Sequence, residues 1–193
     1  MAARGTLMGN RGILHTPERK LVRDWQVRRW IACRVEFRGR QRAIMQPQRY
    51  TELFFLDEVT ALADGHRPCA ECRFADYRAF QAIWRSIYPH QPAAAADMDA
   101  VLHAERRRRP FSKQTYATQI DFLPDGTYVA LDGGAWLVRG RGLCRWSPEG
   151  YVEHMRRPTG VQVTVLTPPS MVAVLRAGYQ PGVHPSADSS TLE

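Results

Sequence analysis

Lysine is almost missing from this chain. Lys20 and Lys113 are its only lysines, and the remainder of its 27 Lys and Arg residues are arginine. That excludes a cationic surface built from ammonium point charges. It leaves planar guanidinium forks, which match phosphates and base edges. A GC-rich genome enriches arginine over lysine without any function, but it does not account for the net charge. Long apolar runs are missing as well. No window approaches the roughly 20 apolar residues of a membrane-spanning helix. Residues Met1 to Ala32 contain no apolar core of a secretion signal. The expectation is a cytoplasmic chain with no membrane partner. Cysteine is sparse, with Cys33, Cys69, Cys72 and Cys144 only. In a reducing compartment, a Cys-x-x-Cys pair holds a metal or does redox chemistry more often than it forms a structural disulfide. There is no internal repeat. Gly133-Gly134 and Gly140-x-Gly142 lack the Lys-Ser/Thr of a phosphate loop and read as hairpin turns.

What is present describes a folded protein. The chain has 193 residues, of which 44% are hydrophobic and 10% aromatic. That is enough for a buried core, in one compact domain or two small ones. A net charge of +8 and a pI of about 9.8 favour an anionic partner. Periodicity predicts strands from Trp25 to Phe37 and a short buried strand at Leu53 to Leu56. A two-turn helix follows, capped by Asp57 and stopped by Gly65. Phe74, Tyr77, Phe80, Trp84, Ile87 and Tyr88 recur at helical spacing, with Pro89 as the stop. Asp97 caps another helix ending in the run Arg106 to Arg109. Beyond it come strand patterns at 116–122, 127–131, 135–138, 143–146 and 161–166. Ser147-Pro148-Glu149 reads as a helix start, and a further helix runs from Pro168 to Arg176. The fold class is therefore α+β. A zinc-knuckle-type helical amino-terminal half with short strands occupies 1–88. An antiparallel sheet plus helices occupies 97–180, packed on the first as one unit. A flexible polar tail covers 181–193.

The most informative stretch is Gly65-His66-Arg67-Pro68-Cys69-Ala70-Glu71-Cys72. Two cysteines with two residues between them can bite one tetrahedral zinc ion, because the turn aims both sulfurs inward. With Phe54-Phe55 and Val59 to Ala63 ahead of it, this order resembles the zinc-binding module of Ada-type DNA repair proteins. In that family an aromatic strand leads to a short Ala-rich helix, a Gly and Arg-Pro-Cys-x-x-Cys. The resemblance covers 54–72 and, loosely, Cys33. It implies a zinc ion and a nucleic-acid-facing module, and it makes Cys33 a ligand. The family has two ligands close together upstream of the strand, whereas here only Cys33 lies there. His66 stands where the family has an aromatic. The fourth ligand is open between His66, ranked first, Cys144, His103 and a water.

Arg34, Arg38, Arg40 and Arg42 follow Cys33 around a turn, and Arg67 and Arg73 flank the knuckle. Sharing one metal would bring these arginines together as a phosphate-tracking surface. Arg106, Arg107, Arg108 and Arg109 form a second basic cluster, set against the ordinary alternative of a solvated charge run. Asn10, Arg11 and His15 lie in a Gly-rich segment that could wall an active site, and Glu52 with His15 or His103 could act as an acid/base pair. The leading expectation is a zinc-containing nucleic-acid-binding protein, DNA being the expected partner, in repair or processing. The alternatives are an enzyme acting on DNA or nucleotides with a purely structural zinc, or a metal-stapled protein-interaction module.

Overall fold

A computed structural model describes residues 5–39, 43–109 and 112–188. The amino-terminal block is a small mixed sheet. Its strands are β1 (Leu7–Asn10), β2 (Ile31–Arg34), β3 (Leu53–Phe55) and, after helix α1 (Glu58–Ala63), β4 (Arg67–Pro68). The order is β3-β1-β2-β4. β1 runs antiparallel to both β2 and β3, while β4 is parallel to β2. Gly65 lies in the left-handed region at φ 87°. A β-carbon there would sit 2.7 Å from Arg106 Nε. Helix stop and close approach therefore demand glycine together.

Three helices form the next layer: α2 (Phe74–Ile87), α3 (Ala95–Arg106) and α4 (Pro169–Arg176). The helical spacing of α2 buries Tyr77, Phe80, Gln81 and Trp84. Tyr77, Phe80 and Trp84 pack with Leu62, Met98, Leu102, Met171, Val174 and Tyr179 in one core. Asp97 lies within the first turn of α3 rather than before it, and its carboxylate accepts the Ala94 N–H at 3.2 Å. The remaining strands are β5 (Arg107–Arg109), β6 (Ser112–Lys113), β7 (Tyr116–Gln119), β8 (Tyr128–Leu131), β9 (Gly134–Arg139), β10 (Gly142–Ser147), β11 (Gly150–Arg156) and β12 (Gln162–Val165). β5 and β6 form a two-stranded ribbon. The other six make one antiparallel sheet in the order β11-β10-β9-β8-β12-β7. The α+β class stands. Helix α4 joins the two layers, with Val172 in the sheet's core and Met171, Val174 and Leu175 in the helical one.

Four local expectations change. Of Trp25 to Phe37, only Ile31–Arg34 is strand. The tryptophans are held by packing instead, Trp25 edge-on to His103 at 4.5 Å and Trp30 fully buried. Ser147-Pro148-Glu149 starts no helix. It closes the β10–β11 hairpin, where the Ser147 hydroxyl donates to Gly150 O at 2.9 Å and Tyr151 pairs with Trp146. Pairing across the hairpin overrides the local capping preference. The third strand pattern, 116–122, breaks after Gln119 into a 3-10 turn at Ile120–Phe122. The segment read as a tail is held to the body as far as Asp188. Gly182 N–H donates to Glu58 at 3.1 Å, His184 N–H to Asp57 at 2.9 Å, and Ala187 is buried.

Candidate metal centre

Strand register builds the site. Met8 pairs with Cys33 on one side and Phe54 on the other, and Asn10 pairs with Ile31. Directly paired residues share a face, and so do residues two apart in a strand. One face of the small sheet therefore carries Met8, Asn10, Ile31, Cys33 and Phe54. Glu52, just ahead of the Leu53 partner of Gly9, lines the same cavity as that face. The parallel pairing of β4 with β2 sets Arg67 beside Ile31 and Pro68 beside Ala32. Cys69 N–H then donates to Ala32 O at 3.1 Å, which places the knuckle alongside Cys33. Pro68 fits the end of this two-residue strand because it has no N–H to offer.

Among the described residues, Cys33, Cys69 and Cys72 form the group of metal-ligating side chains whose donor atoms all lie within 4.8 Å of one another. Three thiolates on one zinc at the usual 2.3 Å bond length would sit about 3.8 Å apart, so the trio can close on an ion with little movement. The backbone is arranged for anionic sulfur. Arg34 N–H points at Cys72 Sγ at 3.3 Å and Glu71 N–H at Cys69 Sγ at 3.4 Å. The thiols already differ in acidity. The Cys33 thiol donates to Cys69, which lowers the pKa of Cys69 and raises that of Cys33, while burial raises that of Cys72. Soft sulfur donors of this kind select zinc, copper(I) or iron.

All three cysteines line a cavity of about 790 Å³. Its floor is the sheet face just described, with Asn10 and Glu52 among the lining residues. Val35, Phe37 and Ile44 cover it from the β2–β3 connection, and Arg29 and Arg34 also line it. Asn10 and Glu52 thus share this cavity with the knuckle, whereas His15 and His103, the acid/base partners expected for Glu52, lie elsewhere. Arg29 was missed, since nothing in its neighbourhood marks it.

His66 stands away from the trio. Residues 66 and 69 have opposite parity along β4, so the two side chains leave the strand on opposite faces. The His66 ring is fully buried between Trp30 and Phe55, and a β-carbon on Gly9 would lie 3.3 Å from its Nε2. Cys144 sits in the core of the six-stranded sheet, and His103 packs on Trp25. No fourth His, Cys, Asp or Glu among the described residues joins the three cysteines. His15 is likewise elsewhere, buried with Nδ1 at 2.5 Å from Thr51 Oγ1.

The arginines divide. Arg34 and Arg38 are exposed beside the site, Arg38 stacking over Phe37 at 5.0 Å. Arg40 and Arg42 lie outside the described residues, and only the backbone of Arg108 and Arg109 is described. The rest turn inward. Arg67 is 1% exposed and makes a two-pronged ion pair with Asp99 at 3.0 and 2.7 Å. Buried Arg73 meets Glu58 at 2.8 Å and Asp76 at 2.9 Å. Arg106 and Arg107 lie over the Trp30 ring with Arg11, at 4.7, 5.5 and 4.5 Å. As the chain folds, these side chains serve the interior.

This buried cationic cluster has a measurable consequence. Burial, reinforced by Arg11, Arg106, Lys113 and Arg107, holds His66 well below its ordinary pKa, so its ring is neutral in the fold. An unfolded chain takes up that proton below about pH 6.5, so the unfolded state binds more protons there and stability falls as pH falls. Loss of about 1.4 kcal/mol per pH unit is expected below that point from His66 alone. Urea midpoints between pH 7.5 and 5.5 should fall more steeply for the wild type than for His66→Phe. Parallel curves would refute this assignment.

No protein-family model, no curated protein and no solved structure matches this chain.

Proposed function

We propose that this is a zinc-containing nucleic-acid-binding protein, with Cys33, Cys69 and Cys72 as the protein's zinc ligands and DNA as its partner, in repair or processing. One observation carries the reading: three thiols converge on the wall of a cavity that Arg29 and Arg34 also line. Thiolates supply the metal's donors. Guanidinium forks supply the affinity for phosphate, with Arg38 next to them. Bound here, zinc would keep its thiolates deprotonated and polarise whatever donor took its fourth position. The Ada-like order of residues 54–72 supports the same direction.

A purely structural zinc is the weaker reading. Structural ions are normally closed by four protein ligands, and this trio opens on a cavity. That favours a metal that meets a substrate, and hence an enzyme working on nucleic acid or nucleotides at this site.

Binding to labelled single-stranded and duplex DNA between 50 and 200 mM salt tests the proposal. Each phosphate contact contributes a slope of about 0.7 to 0.9 in log K against log salt. Replacing Arg29, Arg34 and Arg38 together by Ser should lower the slope by about 2 to 3 and weaken binding at every salt concentration. Failure to bind either DNA at 50 mM salt would sink the reading.

A further inference from the structure

The cavity exposes apolar surface that neither the metal nor the arginines use. Among the described residues eight large hydrophobic side chains are exposed, and three of them, Val35, Ile44 and Phe54, line this one cavity. Phe54 matters most. It is 51% exposed, on the edge strand β3. Strand pairing sets it in a row with the thiols, since Phe54 pairs with Met8 and Met8 with Cys33. Two strand spacings separate the ends of that row, roughly 10 Å between backbones. An aromatic face, a thioether and a thiol thus follow one another across the sheet.

Charge is sorted around this row. Glu52 and Glu71 line the cavity with the cysteines and repel phosphate from that side. The chain that frames the opening carries the opposite sign. Between 23 and 50, among the described residues, Arg23, Arg28, Arg29, Arg34, Arg38 and Arg49 are exposed, and Glu36 is the one exposed carboxylate. A polyanion is favoured at the rim and an uncharged flat group within. A single nucleic-acid strand has that division, with phosphates on its backbone and flat bases beside it. Only an unpaired base can bring its π-face to Phe54. A duplex keeps base faces inside its stack and offers a protein its backbone and groove edges. The cavity of about 790 Å³ has room for one nucleotide and none for a duplex.

We propose that the site takes unpaired DNA, with one base stacked on Phe54, phosphates on Arg29 and Arg34 at the rim, and the strand led past Met8 towards the three cysteines. This rests on the nucleic-acid reading above and narrows it to single-stranded segments, whether a free strand or a gap in a duplex. Stacking does not choose among bases, since each has a π-face.

The test is fluorescence-anisotropy binding by the full chain at about 50 mM salt. The probes are a labelled mixed-sequence oligonucleotide, the duplex formed with its complement, and that duplex interrupted by a short single-stranded gap. The single strand and the gapped duplex should each bind at least about tenfold tighter than the intact duplex, the effect of one stacked base. Phe54→Leu keeps apolar bulk and removes the π-face. It should weaken the single strand and the gapped duplex by about tenfold, with intact-duplex binding, metal content and melting temperature unchanged. Phe54→Trp should restore the wild-type affinity. An intact duplex bound as tightly as the single strand, or Phe54→Leu weakening both alike or neither, would overturn the proposal and leave the nucleic-acid reading in place. Failure of all three probes to bind would overturn both.

Discussion

Cys69→Ser should leave the protein with less than about a tenth of a zinc ion per chain, where the wild type should carry about one. Cys69 is central to the trio. It accepts from the Cys33 thiol and from the Glu71 N–H, and its pKa is lowered by those contacts. A serine hydroxyl neither ionises near neutral pH nor offers a soft donor, and two remaining thiolates cannot hold the ion against competing buffers. An ion held by the three cysteines would tie β2 to the β4–α2 turn, so chelation should lower the wild-type melting temperature by several degrees. It should leave that of Cys69→Ser unchanged, since that variant has no metal to lose. Emission spectrometry and calorimetry on both proteins, with and without chelator, give the result. Equal metal content in the two, or a wild type indifferent to chelator, would contradict the assignment.

Asp57→Ala should cost about 4 kcal/mol of stability, the largest effect expected away from the metal. This buried carboxylate does more than cap α1. Its Oδ1 accepts from Thr60 N–H at 2.9 Å and from the Thr60 hydroxyl at 2.6 Å. Its Oδ2 accepts from the Tyr151 hydroxyl at 2.8 Å and from His184 N–H at 2.9 Å. One side chain thus joins the first helix, the edge strand β11 and the carboxyl-terminal segment. Losing the cap alone costs about 1 kcal/mol. Each buried donor stranded by the change adds about 1 to 3 kcal/mol. Asp57→Asn should rescue little, because its amide would set a donor against His184 N–H. Urea unfolding at pH 7.5 reads the difference, and a loss below about 1 kcal/mol would show that the segment after Tyr179 contributes nothing through this network.

Local chemistry was legible in the sequence wherever a short stretch decides the outcome. The spacing of Tyr77, Phe80 and Trp84 predicts α2, Asp57 and Gly65 bracket α1, and the glycines at 133–134 and 140–142 turn the β8–β9 and β9–β10 hairpins. The pairing of Cys33 with the Cys-x-x-Cys turn was legible from residue type, since sulfur at that spacing has few other uses. What escaped depends on partners far along the chain. Arg67 is withdrawn from the surface by Asp99, 32 residues on, and Arg73 by Glu58. Arg106 lies against Trp30 and donates to Arg28 O. Nothing near these arginines reveals such partners, so a run of positive charge reads as surface. His66 failed for a subtler reason. Its distance from Cys69 in sequence suits a shared ion, but strand alternation through β4 turns it to the other face of the sheet. The nearness of Asn10, Glu52 and Cys33 depends on the register of β1 with β2 and β3, which no local pattern encodes.

Cys33, Cys69 and Cys72 together should hold one metal ion. The most direct measurement is the metal content of the full chain purified without chelator, taken with the count of thiols open to a maleimide reagent. About one zinc per chain is expected, with these three thiols protected until a chelator is added. Only trace metal, with Cys33 and its two neighbours modified at the same rate before and after chelation, would contradict it.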